Sequence, residues 1–217
     1  MALRIPVIVS LTLLAAACFA PAPSQAQVPA VAGDAKRGHD LAYTCSGCHA
    51  ISNYKNVYPT YSVPKLHGQR PEYLVAALKA YKSGERSHGT MHSHAASMSE
   101  QDMADIAVYL AGPDVLTVSK TDVPAEQRPK ATEVCLACHG TNGVGITADY
   151  PTLSGQHRDY MERALLDYQK GGRKNAVMAG MAATLSRQDI EQLAAYYSSQ
   201  KPALKVVPKK VSFLSSN

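Results

Sequence analysis

No tryptophan occurs in this 217-residue chain, and aromatic residues make up only 6% of it. Charged residues are also scarce, 18% against 46% hydrophobic, a balance that excludes wholesale disorder. The 22 Lys and Arg stand against 17 Asp and Glu, a formal charge of +5. Outside the last stretch of the chain these basic residues form no cluster, which argues against nucleic acid as a partner. Long apolar runs are absent beyond the extreme N-terminus, so no later segment is expected to span a membrane. Alternating strand patterns of useful length are absent too. The length suits one domain or two small ones.

The single apolar run reads as a secretory signal. Arg4 precedes Ile5 to Ala17, a stretch shorter than the about 20 residues a bilayer span needs. Ser24-Gln25-Ala26 offers a small-x-small cleavage site, so residues 1–26 are expected to be removed on export. A retained anchor helix and a lipoprotein signal ending at Cys18 are the alternatives.

Loss of the signal leaves four cysteines in two pairs, each followed at once by histidine: Cys45-Ser-Gly-Cys48-His49 and Cys135-Leu-Ala-Cys138-His139. In an exported protein the pattern C-x-x-C-H points to covalent c-type haem, with both thiols forming thioethers and the histidine placed beneath the iron. Zinc ribbons also use paired C-x-x-C but need no histidine directly after each pair. A redox dithiol sits on a strand–helix junction, and no strand pattern is visible. Two haem c groups are therefore expected.

The chain is also an internal duplication. Residues 64–111 superpose on 151–198 at a shift of 87, with 18 of 48 positions identical and no gap. Pro64-x-Leu66-x-Gly68-Gln69 matches Pro151-x-Leu153-x-Gly155-Gln156, and Tyr73, Tyr81, Gly84 and Arg86 match Tyr160, Tyr168, Gly171 and Arg173. Met91 matches Met178, and Ser99-x-Gln101-Asp102 matches Ser186-x-Gln188-Asp189. The cysteine pairs are 90 apart, so the first half has three extra residues between its haem motif and Pro64.

Each half reads as all-α. Asp34 caps a short helix running toward Cys45, Pro71 opens a second that Gly84 ends, and Ser99 and Asp102 cap a third. Helices over Arg158–Lys170 and Ser186–Ser199 are the counterparts. The expected division is module 1 over 27–112, a linker over 113–123, module 2 over 124–201 and a loose basic tail over 202–217. Modules this small lack a large core of their own, and the haem would supply it.

The sixth iron ligand is read from the duplication. Met91, His92, His94, Met98 and Met103 compete in module 1, and Met178 and Met181 in module 2. Only Met91 and Met178 are methionine in both halves, each eight residues before a capping serine. Met98 and Met103 sit where methionine is ordinary core filler. Bis-histidine ligation through His92 or His94 is the alternative at the first haem. Pro64 and Pro151, lacking an N–H, are natural sites for a fixed carbonyl that orients the axial histidine.

Taken together, two C-x-x-C-H modules, P-x-L-x-G-Q after each, methionine ahead of a Ser-x-x-Asp helix, and an ending Ala-Ala-Tyr-Tyr-Ser-Ser-Gln resemble the dihaem cytochrome c4 family over about residues 33–201. The resemblance implies two tandem class I cytochrome c folds with their haems close together. By position it implies Cys45, Cys48, Cys135 and Cys138 as thioether residues and His49/Met91 and His139/Met178 as axial pairs. It further implies a periplasmic electron carrier, sometimes membrane-associated, that feeds terminal oxidases. The His88-x-x-x-His92-x-His94 cluster around Met91 departs from the second module, and the lysines beyond Lys201 lie outside the family pattern.

The function expected is single-electron transfer between respiratory partners, a donor complex and a terminal oxidase, by a monomer that is not itself an enzyme. A dihaem peroxidase, with His88, His92 or His94 as distal base, is the rival from another class. An electron-transfer subunit of a dehydrogenase complex is the third reading. Residues 27–112 carry eight basic and seven acidic residues and residues 113–199 nine and ten, so neither module is a one-signed steering surface. Lysines in the tail could touch anionic lipid; a solvated end is the plainer reading.

Overall fold

The structure, a computed structural model, describes residues 32–117 and 123–208. The expected signal segment, Cys18 and the last lysines, Lys209 and Lys210, lie outside the described residues.

Module 1 is built from α1 (Ala35–Leu41), α2 (Tyr43–His49), α3 (Pro71–Ser83), α4 (Gly89–Ala96) and α5 (Glu100–Ala111). Local chemistry fixes their ends. Asp34 accepts from the N–H groups of Lys36 and Arg37, Pro71 occupies the first turn of α3, and Gly84 closes α3 at φ 79°. Ser99 and Asp102 form a reciprocal capping box on α5. Helix α1 crosses α5 so closely that a Cβ on Gly38 would lie 2.0 Å from the carbonyl oxygen of Asp105. Arg37 ties the crossing by pairing with both Asp102 and Asp105. Leu74 and Leu78 of α3 pack on Met103, Ile106 and Leu110 of α5.

In module 2 short 3-10 turns, Ala125–Gln127 and Lys130–Val134, lead into the single turn α6 (Leu136–His139). Then follow α7 (Arg158–Gln169), α8 (Ala176–Ala183) and α9 (Arg187–Ser199), with Ser186 and Asp189 repeating the capping box. Met161 of α7 packs on Leu193, Ala194 and Tyr197 of α9.

A local two-fold relates the modules. The backbones of Arg86 and Arg173, equivalent in the duplication, pair in an isolated antiparallel bridge. Around it Ser87 N donates to Gly172 O and Lys174 N to Glu85 O, both at 2.8 Å, each bond the image of the other. The two repeat glutamines do the same. Gln69 brackets the backbone of Thr152, and Gln156 brackets that of Lys65, the position equivalent to Thr152.

Two helices are additional to the sequence expectations, and two expectations are corrected. Helices α4 and α8, which carry Met91 and Met178, were not foreseen; each is only eight residues long and shows little apolar periodicity, so no amphipathic pattern announces it. The linker does not begin at 113: Val115 packs on the first core and Leu116 N donates to Gly68 O. The loose tail begins too early as well. Residues 202–208 form a strap that returns to module 1, with Leu204 and Val207 each only 2% exposed. Leu204 N donates to Ser154 O, Lys205 exchanges two backbone bonds with His67, and Val207 N donates to His49 O. Apolar burial between the lysines holds the strap down; the charge and proline around it masked that signal.

Candidate haem sites

Helix α2 presents Cys45, Cys48 and His49 at i, i+3 and i+4, one face of a helix. In module 2 the cap Cys135 and the single turn α6 present Cys138 and His139 in the same way. The four thiols are half-buried and unbridged.

Each histidine is held through one ring nitrogen. His49 Nδ1 lies 2.9 Å from Pro64 O, and His139 Nδ1 lies 3.0 Å from Pro151 O. A ring nitrogen facing a carbonyl must carry the hydrogen, so Nδ1 donates and the free lone pair is on Nε2. Burial lowers the pKa of both imidazoles, against the pull of the carbonyl bond, and keeps them neutral. Neutral imidazole with its lone pair on Nε2 is the form that binds metal.

The methionines stand on helices with matching caps. His88 Nδ1 accepts from Met91 N at 3.3 Å, and the equivalent Asn175 Oδ1 accepts from Met178 N at 3.0 Å. Cys135, Cys138, His139, Pro151 and Met178 line one cavity of about 450 Å³. Met181 also borders it but is 44% exposed. In module 1 Cys45 and Met91 flank the core cluster of Leu74, Leu78 and Met103. Met103, at 1% exposure, is core and Met98 packs beside it.

The histidine cluster is structural where its partners are seen. His88, besides capping α4, has Nε2 3.1 Å from Asn56 Oδ1, in the longer loop that follows the first haem motif. His92 Nδ1 lies 2.8 Å from Tyr81 O, and His94 is exposed.

Residues 35–112 match the family described as cytochrome c, and residues 126–196 that described as cytochrome c oxidase, cbb3-type, subunit III. A cytochrome c4 of Pseudomonas aeruginosa is 33% identical, over 76% of this chain and 88% of its own length. This chain belongs to the cytochrome c4 family. The reduced recombinant cytochrome c4 from Pseudomonas stutzeri has the same fold, with a TM-score of 0.62 and 31% identity over 78% of this chain and 100% of that one. A thiosulfate dehydrogenase electron acceptor of Stutzerimonas stutzeri is 26% identical, over 73% of this chain and 79% of its own.

Like its family, this chain has two all-α cytochrome c modules and two covalently bound haem c groups, one on Cys45 and Cys48 and one on Cys135 and Cys138. The side chains suit such a group. Burial pushes the Cys135 thiol up to about 11 and raises that of Cys45, the mark of apolar surroundings. The Tyr197 hydroxyl, in the cavity wall, is buried without a hydrogen-bond partner. That wall is incomplete without a polar group opposite it.

Two sets of residues escaped sequence reasoning, although both were in view as repeat identities. Gln69 and Gln156 join the modules, and Tyr73, Tyr160, Arg86 and Arg173 gather at the local two-fold. Identity between halves reported the duplication and gave no hint that the equivalent residues meet.

Proposed function

We propose that this chain is a periplasmic single-electron carrier whose two haem irons would be held by side chains of the protein itself: His49 and Met91 in module 1, His139 and Met178 in module 2. The observation that supports this most is the doubled histidine geometry, with Nδ1 fixed on Pro64 or Pro151 and Nε2 left free. Bound haem supplies the one-electron Fe(II)/Fe(III) couple. The protein holds the imidazoles neutral and fixed, excludes water with apolar side chains, and offers thioether sulfur, which favours the ferrous state relative to a second histidine. With a histidine and a methionine engaged at each iron, no position would remain for a substrate, and on this reading the protein itself is not an enzyme.

A respiratory donor and a terminal oxidase are the partners this reading assigns. Val134, Val177 and Met181 are exposed at the edge of the cavity, an apolar rim suited to brief docking of a redox protein onto the monomer. The relative named a thiosulfate dehydrogenase electron acceptor favours a second reading, in which a dehydrogenase of that kind is the donor. Among the described residues no helix is long and apolar enough to cross a membrane; contact with lipid would fall to the lysines of the tail, of which Lys201 and Lys205 are exposed.

Ligand replacement tests the assignment. Met178→Ala should remove the thioether charge-transfer band of one ferric haem and lower its potential, whereas Met181→Leu should leave both unchanged. Met91→Ala should do the same at the other haem. Loss of the band in Met181→Leu would reassign the ligand.

A further inference from the structure

Helix α4 has little of its own to hold it. It is eight residues long, and Gly89, Thr90 and Ser93 are weak helix formers. Its start depends on His88, whose Nδ1 accepts from the backbone N–H of Met91, the third residue of the helix, at 3.3 Å. Histidine is not among the residues that usually cap a helix. Asparagine is, and Asn175 caps the helix of Met178 at the equivalent place. An imidazole can accept at Nδ1 only when Nε2 carries the hydrogen.

A hairpin over residues 54–63 meets that condition. Asn56 Oδ1 lies 3.1 Å from His88 Nε2 and accepts its hydrogen, while Asn56 Nδ2 donates to Tyr61 O at 3.2 Å. Turning the amide over would lose both bonds, so Asn56 fixes the ring. Backbone bonds from Asn56 N to Tyr61 O and from Val63 N to Tyr54 O, both 2.9 Å, close the hairpin. It is fastened to module 2, where Asp159 Oδ2 accepts from Ser62 N at 3.0 Å and from Ser62 Oγ at 2.9 Å. The rings of Tyr61 and Tyr81 meet that of His88 edge-on, with centres 6.4 and 6.2 Å away. His88 is thus held at both nitrogens. Among the described residues Asn175 bonds only to Met178 N, and it is exposed. The segment from haem motif to repeat proline is three residues shorter there. The extra length in module 1 therefore goes with a second support for one methionine helix and not for the other.

We propose that Asn56 and His88 are positioning residues for Met91. Asn56 fixes the ring of His88, the ring fixes the start of α4, and the start of α4 sets where the Met91 sulfur stands. The proposal rests on Met91 being the sixth ligand of the first haem. Thioether ligation favours the ferrous state, so a loosened Met91 lowers the potential of that haem.

The test uses the holoprotein with His88→Ala, Asn56→Ala, His88→Asn and the double variant Asn56→Ala/His88→Asn. Proton NMR of the reduced protein shows one ring-current-shifted methyl signal per methionine ligand, assigned with Met91→Ala and Met178→Ala, and a redox titration gives the potentials. His88→Ala and Asn56→Ala should shift or broaden the Met91 signal and lower the potential of the first haem, with the Met178 signal unchanged. His88→Asn, which supplies the cap used in module 2, should recover most of the loss. In that background Asn56→Ala should add nothing, because Asn56 acts through a ring that is no longer there. An unchanged Met91 signal and first potential in fully haem-loaded His88→Ala or Asn56→Ala would overturn the proposal. So would an undiminished effect of Asn56→Ala in the His88→Asn background. Should His88→Ala fail to fold, Asn56→Ala decides alone. Met91→Ala keeps the underlying reading apart: if both methyl signals survive it, the ligand assignment falls and this proposal with it. If one signal is lost while the variants of Asn56 and His88 leave it in place, this proposal alone falls.

Discussion

The side-chain amide of Gln69 closes a two-way hydrogen bond on the backbone of Thr152, with Nε2 donating to the carbonyl at 2.9 Å and Oε1 accepting from the N–H at 2.8 Å. Thr152 directly follows Pro151, whose carbonyl orients His139. A residue of module 1 therefore braces the segment that aims a histidine in module 2, and Gln156 braces Lys65, next to Pro64, in return.

Breaking the brace should cost stability and separate the modules. Gln69→Ala leaves a buried N–H and a buried carbonyl of Thr152 unpaired, a loss of about 2 kcal/mol. Denaturant unfolding should show the lower stability, and calorimetry should show two transitions where the parent shows one.

The strap over residues 202–208 makes a second prediction. Leu204 lies 3.6 Å from a Cβ built on Gly68 and is almost fully buried. Leu204→Ala should destabilise the protein by about 2–5 kcal/mol, the range for large-to-small core changes. Lys205→Ala should cost no more than about 0.5 kcal/mol, because its side chain is exposed and its bonds to His67 are backbone bonds. Equal effects of the two substitutions in urea unfolding would show that the strap is not anchored by apolar burial.

Acid should act on module 1 through Asp102. Hydrogen bonds from Ser99, and then the Arg37 guanidinium, bring its carboxyl down to about 2. A carboxyl whose pKa is lower in the folded state than in the unfolded state binds fewer protons when folded. Its stabilising contribution is complete above about pH 4, the unfolded value, and is lost as the pH falls through about 2. Asp189 has Ser186 but no arginine in that position, and its pKa is lowered by the serine alone. Arg37→Gln, which removes the partner of Asp105 as well as that of Asp102, should therefore reduce the drop in stability between pH 4 and 2, measured by urea unfolding at each pH. The change should be seen in the unfolding of module 1.

The fold was legible in the sequence wherever a residue type has one main physical use. Asp34, Pro71, Gly84 and the Ser99–Asp102 box mark helix ends through capping chemistry, and the structure places those ends there. The cysteine pairs and their histidines were legible for the same reason. Less visible was anything that depends on two distant segments meeting. Arg37 and Asp105 are 68 positions apart, Gln69 and Thr152 are 83 apart, and neither pairing leaves a local pattern. Helices α4 and α8 lack an apolar stripe, and the strap hides Leu204 and Val207 among lysines and prolines.

External ligand binding tests the central claim most directly. If His49/Met91 and His139/Met178 close both irons, the sixth position must be vacated before any outside molecule can enter. Carbon monoxide added to the reduced holoprotein, and cyanide to the oxidised form, should then bind slowly and incompletely at both haems at neutral pH. Addition of peroxide with a reduced dye should give no turnover. Rapid, stoichiometric binding at one haem, with peroxide turnover lost in His92→Ala or His94→Ala, would contradict the account and make that module a catalytic site.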